Sequence, residues 1–154
     1  MKIEARHEAD RLPEVSSAPA ARVAAFYENL TPASLDALEA IYAEAARFKD
    51  PFNDVAGLPA IRRIFEHMFA TVERPRFVVT ERIEQGAQAM LGWDFHFVLR
   101  GRPVVVHGVT HLRFDASGRV VLHRDYWDAA EELYEKLPLL GALMRALRKR
   151  LSAG

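Results

Sequence analysis

From Arg76 to Trp127 the chain alternates apolar and polar side chains almost without a break, and every interruption is a turn signal. Gln85-Gly86, Arg100-Gly101 and the stretch from Asp115 to Gly118 divide it into segments 77–85, 89–99, 103–114 and 119–127. Period-two alternation punctuated by glycine is the pattern of antiparallel strands joined as a meander. The turns also set a register. With Arg100-Gly101 as a two-residue turn, Phe97 faces Val104, Phe95 faces Val106 and Asp94 faces His107. With a four-residue loop from Asp115 to Gly118, Leu112 faces Val121, Thr110 faces His123 and Gly108 faces Asp125.

One face of the predicted sheet then carries Leu91, Trp93, Phe95, Phe97, Val106, Gly108, Thr110, Leu112, Phe114, Val121, His123, Asp125 and Trp127. A slip of one residue would turn that whole set outward. The set is almost wholly apolar, and its few polar members gather on the last two strands. His123, Asp125 and Trp127 alternate along the final strand, so an imidazole, a carboxylate and an indole line one wall. Asp94, His96, His107 and His111 fall on the opposite face. There His107 and His111 stand ~13 Å apart, too far for one metal, and cross-strand pairing of Asp94 with His107 is expected.

Ahead of the meander the period changes to that of helices. Val23, Phe26, Tyr27 and Leu30 form one stripe. Leu35, Leu38, Ile41, Tyr42 and Ala45 form a second, opened by Thr31-Pro32 and ended before Asp50-Pro51, with a short strand expected over 47–50. Ile61, Ile64, Phe65, Met68, Phe69 and Val72 make a third, which Arg74-Pro75 breaks. After Trp127, Asp128 and Glu131 have the spacing of a capping box. A leucine stripe from Leu133 to Leu151 then predicts a closing helix over 129–151, kinked at Pro138. Residues 1–17 are polar and read as a loosely held lead-in to a single domain over 18–154.

Composition removes several classes of function. Lys+Arg and Asp+Glu each number 21, so the chain lacks the basic surplus that marks a nucleic-acid partner. No run approaches the ~20 apolar residues of a membrane span, and the start lacks a signal peptide's apolar core, so a cytoplasmic location is expected. With no cysteine, thiolate chemistry and cysteine-ligated metals are excluded. No zinc signature, phosphate-binding loop, dinucleotide fingerprint or nucleophile elbow occurs, and no cofactor is expected.

Helices followed by a strongly curved antiparallel sheet make an α+β cone with the helices over its mouth. Phe48-Lys49-Asp50-Pro51-Phe52, the helix after Gly57, the strand Thr110-His111-Leu112-Arg113-Phe114 and the turn Ser117-Gly118-Arg119-Val120-Val121 resemble the nuclear transport factor 2-like superfamily. Within it, residues 20 to 128 are similar to the SnoaL-like and ketosteroid-isomerase-like branches. The resemblance implies that Asp50, in its Asp-Pro pair, stands where the isomerases keep their general base. It also places Thr110 where they keep an oxyanion donor, and Ala24 or Phe26 where they keep a tyrosine. Two oxyanion donors are thereby missing, and loss of one typically costs ~10²–10³ in rate, which argues against a steroid isomerase of the known kind. The closing helix is extra to that pattern. Relatives commonly dimerise through the outer sheet face, so a homodimer is implied.

Candidate catalytic groups are therefore Asp50, Asp125 and His123. Asp125 and His123 lie ~6.6 Å apart along the strand, a spacing suited to contacting one ligand or one water. The candidate ligand walls are Tyr27, Phe65, Trp93, Phe95, Phe97, Thr110, Leu112 and Trp127. An apolar cone with a few convergent polar groups is the usual form of a small-molecule site. The expected function is acid/base chemistry on a small, largely apolar molecule, of isomerase, cyclase, dehydratase or epoxide-hydrolase type. Two alternatives stand beside it: a module that binds a hydrophobic ligand unchanged, and a dimerisation module whose cavity is filled by side chains. Each residue also has a plainer role: Asp50 ending a helix, His123 and Asp125 as a satisfied polar cluster, the tryptophans as core.

Overall fold

The computed structural model describes residues 18–132; the expectations for the lead-in and for the closing helix beyond Glu132 lie outside the described residues. The order is α1 (Pro19–Glu28), a 3-10 turn (Ala33–Ala37), α2 (Leu38–Ile41), β1 (Tyr42–Lys49), β2 (Asp54–Ala56), α3 (Leu58–Thr71), β3 (Glu73–Gln85), β4 (Gln88–Leu99), β5 (Arg102–Phe114), β6 (Val120–Tyr126) and a first turn of α4 (Ala129–Glu132). The six strands form one curved sheet in the order β2-β1-β6-β5-β4-β3. All neighbours are antiparallel except β1 and β6.

Local chemistry explains most of the boundaries. The Thr31 hydroxyl accepts the Ser34 N–H at 3.2 Å while the Ser34 hydroxyl accepts the Thr31 N–H at 2.9 Å, a reciprocal cap that starts the 3-10 turn. Asp128 caps α4 by accepting the Glu131 N–H at 3.1 Å. Arg100 and Gly101 both take positive φ, 50° and 74°, the twist a two-residue hairpin requires. The β4–β5 register is the expected one: Phe97 opposite Val104, Phe95 opposite Val106, Asp94 opposite His107. On the outer face His107 Nδ1 meets Asp94 Oδ1 at 2.6 Å.

Two expectations are corrected. The second helix is far shorter than its apolar stripe, because strand β1 already begins at Tyr42. In β1 the buried residues are Tyr42, Ala46 and Phe48, the last two at strand spacing, and parallel pairing with β6 outweighs the local helical period. The β5–β6 register is also displaced by two residues: Leu112 lies opposite His123 and Thr110 opposite Asp125. An irregularity beside Phe114 pairs it with Val120 while Arg113 pairs with Leu122, leaving Val121 as the extra residue. Val120 is consequently buried and Val121 is 38% exposed, the reverse of the expectation for Val121. A slide of two preserves parity, so His123 still faces the helices.

α1 and α3 cover the concave face. Val23, Tyr27, Ile61 and Phe65 pack with Leu91, Trp93, Phe97, Val106 and Leu112 as one core.

Candidate functional site

β1 and β6 carry the site because they run side by side in the same direction. Phe48 pairs with His123 and Lys49 with Arg124, so Asp50, where the chain leaves β1, and Asp125, near the end of β6, lie at the same end of the sheet. They open onto a cavity of about 300 Å³. Its wall includes Tyr27, Phe65, Trp93, Phe95, Phe97 and Trp127, six of the eight expected ligand contacts, together with Phe48, Phe52, Phe77 and Met68. Thr110 and His123 border a recess of about 20 Å³, room for one water, that shares Tyr27, Trp93 and Asp125 with the main cavity. Leu112 lines neither space and is fully buried in the core.

Behind the wall runs a continuous chain of hydrogen bonds. The Trp93 indole N–H donates to Thr110 Oγ1 at 2.7 Å, and Thr110 donates to Asp125 Oδ1. His123 Nε2 meets the same Oδ1 at 2.8 Å, while its Nδ1 lies 2.9 Å from the Tyr42 hydroxyl and 3.4 Å from that of Tyr27. The two phenols are bonded to each other.

Donor and acceptor counts fix the direction of every proton. An indole only donates, so the Thr110 proton must go to the carboxylate. With Oδ1 accepting, Nε2 carries hydrogen and Nδ1 accepts from Tyr42, which leaves Tyr27 to donate to Tyr42. The reverse order would leave the Tyr27 proton without an acceptor among the described residues. Both phenols are buried, which is the first cause pushing them well above the usual tyrosine range. For Tyr27 the charges of Tyr42 and Asp125 add to that rise; for Tyr42 the hydrogen bond from Tyr27 acts the other way.

His123 is 2% exposed and stacks on Phe48 with ring centres 4.4 Å apart. It therefore reaches the cavity through Asp125 and not directly. Asp125 accepts both donors on Oδ1; among the described residues nothing is bonded to Oδ2. Asp50 is held differently. Its Oδ1 accepts the backbone N–H groups of Phe52 at 2.7 Å and Asn53 at 2.6 Å, and the Asn53 side-chain amide also bonds both oxygens. The turn-forming role expected of an Asp-Pro pair is thus present, on the cavity's edge.

The cone itself is shared by known proteins. Residues 23–123 match the SnoaL-like domain family. The chain belongs to that family. No curated protein matches this SnoaL-like domain. Solved structures do, at the level of fold. A protein of ketosteroid isomerase-like fold from Catenulispora acidiphila, in complex with trimethylamine, is 19% identical with a TM-score of 0.64, over 79% of this chain and 90% of that one. An NTF2-like protein of unknown function from Burkholderia pseudomallei is 22% identical with a TM-score of 0.67, over 75% and 94%. An LEH-like epoxide hydrolase of M. tuberculosis is 20% identical with a TM-score of 0.64, over 88% and 98%.

Tyr42 and Phe48 are the members of this SnoaL-like site that sequence reasoning missed. The apolar alternation of Ala46 and Phe48 was the available signal for a strand. Nothing local marks Tyr42 as the partner of a histidine 81 residues away.

Proposed function

We propose that this SnoaL-like domain binds a small, largely apolar organic molecule and performs acid/base chemistry on it, of isomerase, cyclase, dehydratase or epoxide-hydrolase type. The observation that carries the reading is the asymmetry of Asp125. One oxygen is saturated by His123 and Thr110, while the other has no partner among the described residues on the wall of an aromatic cavity. A carboxylate so oriented is placed to take or return a proton, with His123 as its positioning residue. The trimethylamine of one structural neighbour and the epoxide-hydrolase activity of another are consistent with a small organic ligand.

In a panel of activated epoxides and β,γ-unsaturated ketones, Asp125→Asn is expected to lower kcat/KM at least about a hundredfold. Parent-like turnover by that variant would remove the assignment.

A second reading has its own support. The hydroxyls of Tyr27 and Thr110 both donate into the protein, so neither is available to stabilise an oxyanion. A module that holds its ligand unchanged fits that arrangement. Recovery of the bound compound intact, with no turnover across the panel, selects it.

We also propose that two copies meet on the outer sheet face. Met90, Val109 and Tyr126 are 37–46% exposed there, and Val109 and Tyr126 are cross-strand partners. Light scattering is expected to give twice the 17.4 kDa chain mass; a monomer at working concentration contradicts this.

A further inference from the structure

The cavity edge has a feature that proton transfer does not use. Asp50 cannot swing: four donor contacts, two of them backbone N–H groups of its own turn, hold its carboxylate in place. A carboxylate so held presents its charge in one fixed place. Two residues on, Phe52 stands 56% exposed with its ring edge-to-face to Trp127, centres 5.4 Å apart and planes at 75°. Asp50, Phe52 and Trp127 line the same cavity.

No lysine or arginine is among the described residues that line it, and its other carboxylate is Asp125. Lys49 and Arg124 border the adjoining open cleft that Asp50 and Trp127 also touch, and both are engaged elsewhere. Lys49 is 3.2 Å from Asp54, and Arg124 lies over the Tyr126 ring at 4.7 Å. A fixed negative charge beside two aromatic rings, with no lysine or arginine among the described residues of the same cavity wall, attracts an organic cation through the field and the ring quadrupoles together. A neutral ligand gains only burial there, and an anion is repelled.

We propose that the ligand of this cavity carries an ammonium group, seated against Asp50, Phe52 and Trp127 with its apolar body directed inward. Asp50 is the counter-charge and Asp125 is left for the proton. The proposal rests on the small-molecule reading of the cavity, not on turnover.

Choline and 3,3-dimethylbutan-1-ol have the same shape and differ in one atom, nitrogen for carbon, and hence in charge. The chain's two tryptophans, Trp93 and Trp127, both line the cavity and report binding by fluorescence. Choline is expected to bind at least about tenfold more tightly than the alcohol. Asp50→Asn keeps an acceptor for the turn while deleting the charge, and is expected to bring choline down to the alcohol's affinity with the alcohol unchanged. Trp127→Leu, read through Trp93, is expected to weaken choline more than the alcohol.

Equal binding of the two probes by the parent overturns the ammonium assignment and leaves the cavity reading standing. A preference that survives Asp50→Asn overturns it as well. Absence of binding by either probe removes the assignment together with the small-molecule reading. The first two outcomes leave the Asp125 turnover test untouched.

Discussion

As pH rises above 10 the folded state is expected to lose stability steadily through Tyr27 and Tyr42. Both phenols are raised above the ordinary value of 10.0, chiefly by burial. Above that value the unfolded chain has released both protons while the folded chain still holds them. The unfolded state therefore binds fewer protons, and stability falls as pH rises. The contribution is fully present below pH 10 and is lost progressively above it. The slope steepens as the unfolded tyrosines become fully ionised, and each phenol still protonated in the folded state adds to it.

Urea unfolding followed by tryptophan fluorescence at stepped alkaline pH measures this slope directly. Tyr42→Phe is expected to shift two quantities in opposite senses. Neutral-pH stability drops by about 1–2 kcal/mol, because Nδ1 of buried His123 loses its donor. The alkaline slope becomes shallower, because one phenol is gone. A variant with the parent's slope would mean that Tyr42 is not held neutral by burial.

Gly108→Ala is expected to cost about 3 kcal/mol and to disorder the site at a distance from the substitution. A Cβ at Gly108 would lie 2.3 Å from Trp93 Cη2 and 2.4 Å from Cζ2, so the indole lies flat on the glycine and must leave. Its N–H then loses Thr110, whose own proton is the second donor to Asp125. Overpacking and one broken buried hydrogen bond act together, which is why the estimate stands at the upper end for an added methyl. Thermal unfolding of Gly108→Ala, Trp93→Phe and the double variant tests the route. The double variant is expected to be more stable than the sum of the single changes allows, because Phe removes the atoms the methyl strikes. Additive losses would show that the two residues do not act through that contact.

Much of the cone is legible because its instructions are local. Arg100 and Gly101 impose a hairpin twist, and from that turn the pairing of Asp94 with His107 comes by counting. Thr31 and Asp128 each cap the helical turn that begins beside them. The inward parity of His123, Asp125 and Trp127 comes from alternation, and a slide of two, one residue in the loop before Val120 and one at the bulge beside Phe114, left it intact because the strand repeat is two. The bulge itself was not legible, since nothing in Asp115 to Val121 distinguishes a four-residue loop from one with an extra residue in the strand.

The candidate site needed more than alternation. The sequence by itself determined that an imidazole and a carboxylate would share the concave face of an apolar sheet, since alternation and turn chemistry act over a few residues. The tertiary structure decided that Tyr42 leaves a helical stripe to begin a strand, and that β1 lies parallel on β6. It also decided that Asp50 therefore ends beside Asp125, 75 positions later. Parallel pairing has no connecting turn from which its register can be counted. It is selected by the burial and hydrogen bonding that Tyr42, Phe48 and His123 gain only once the whole sheet has formed.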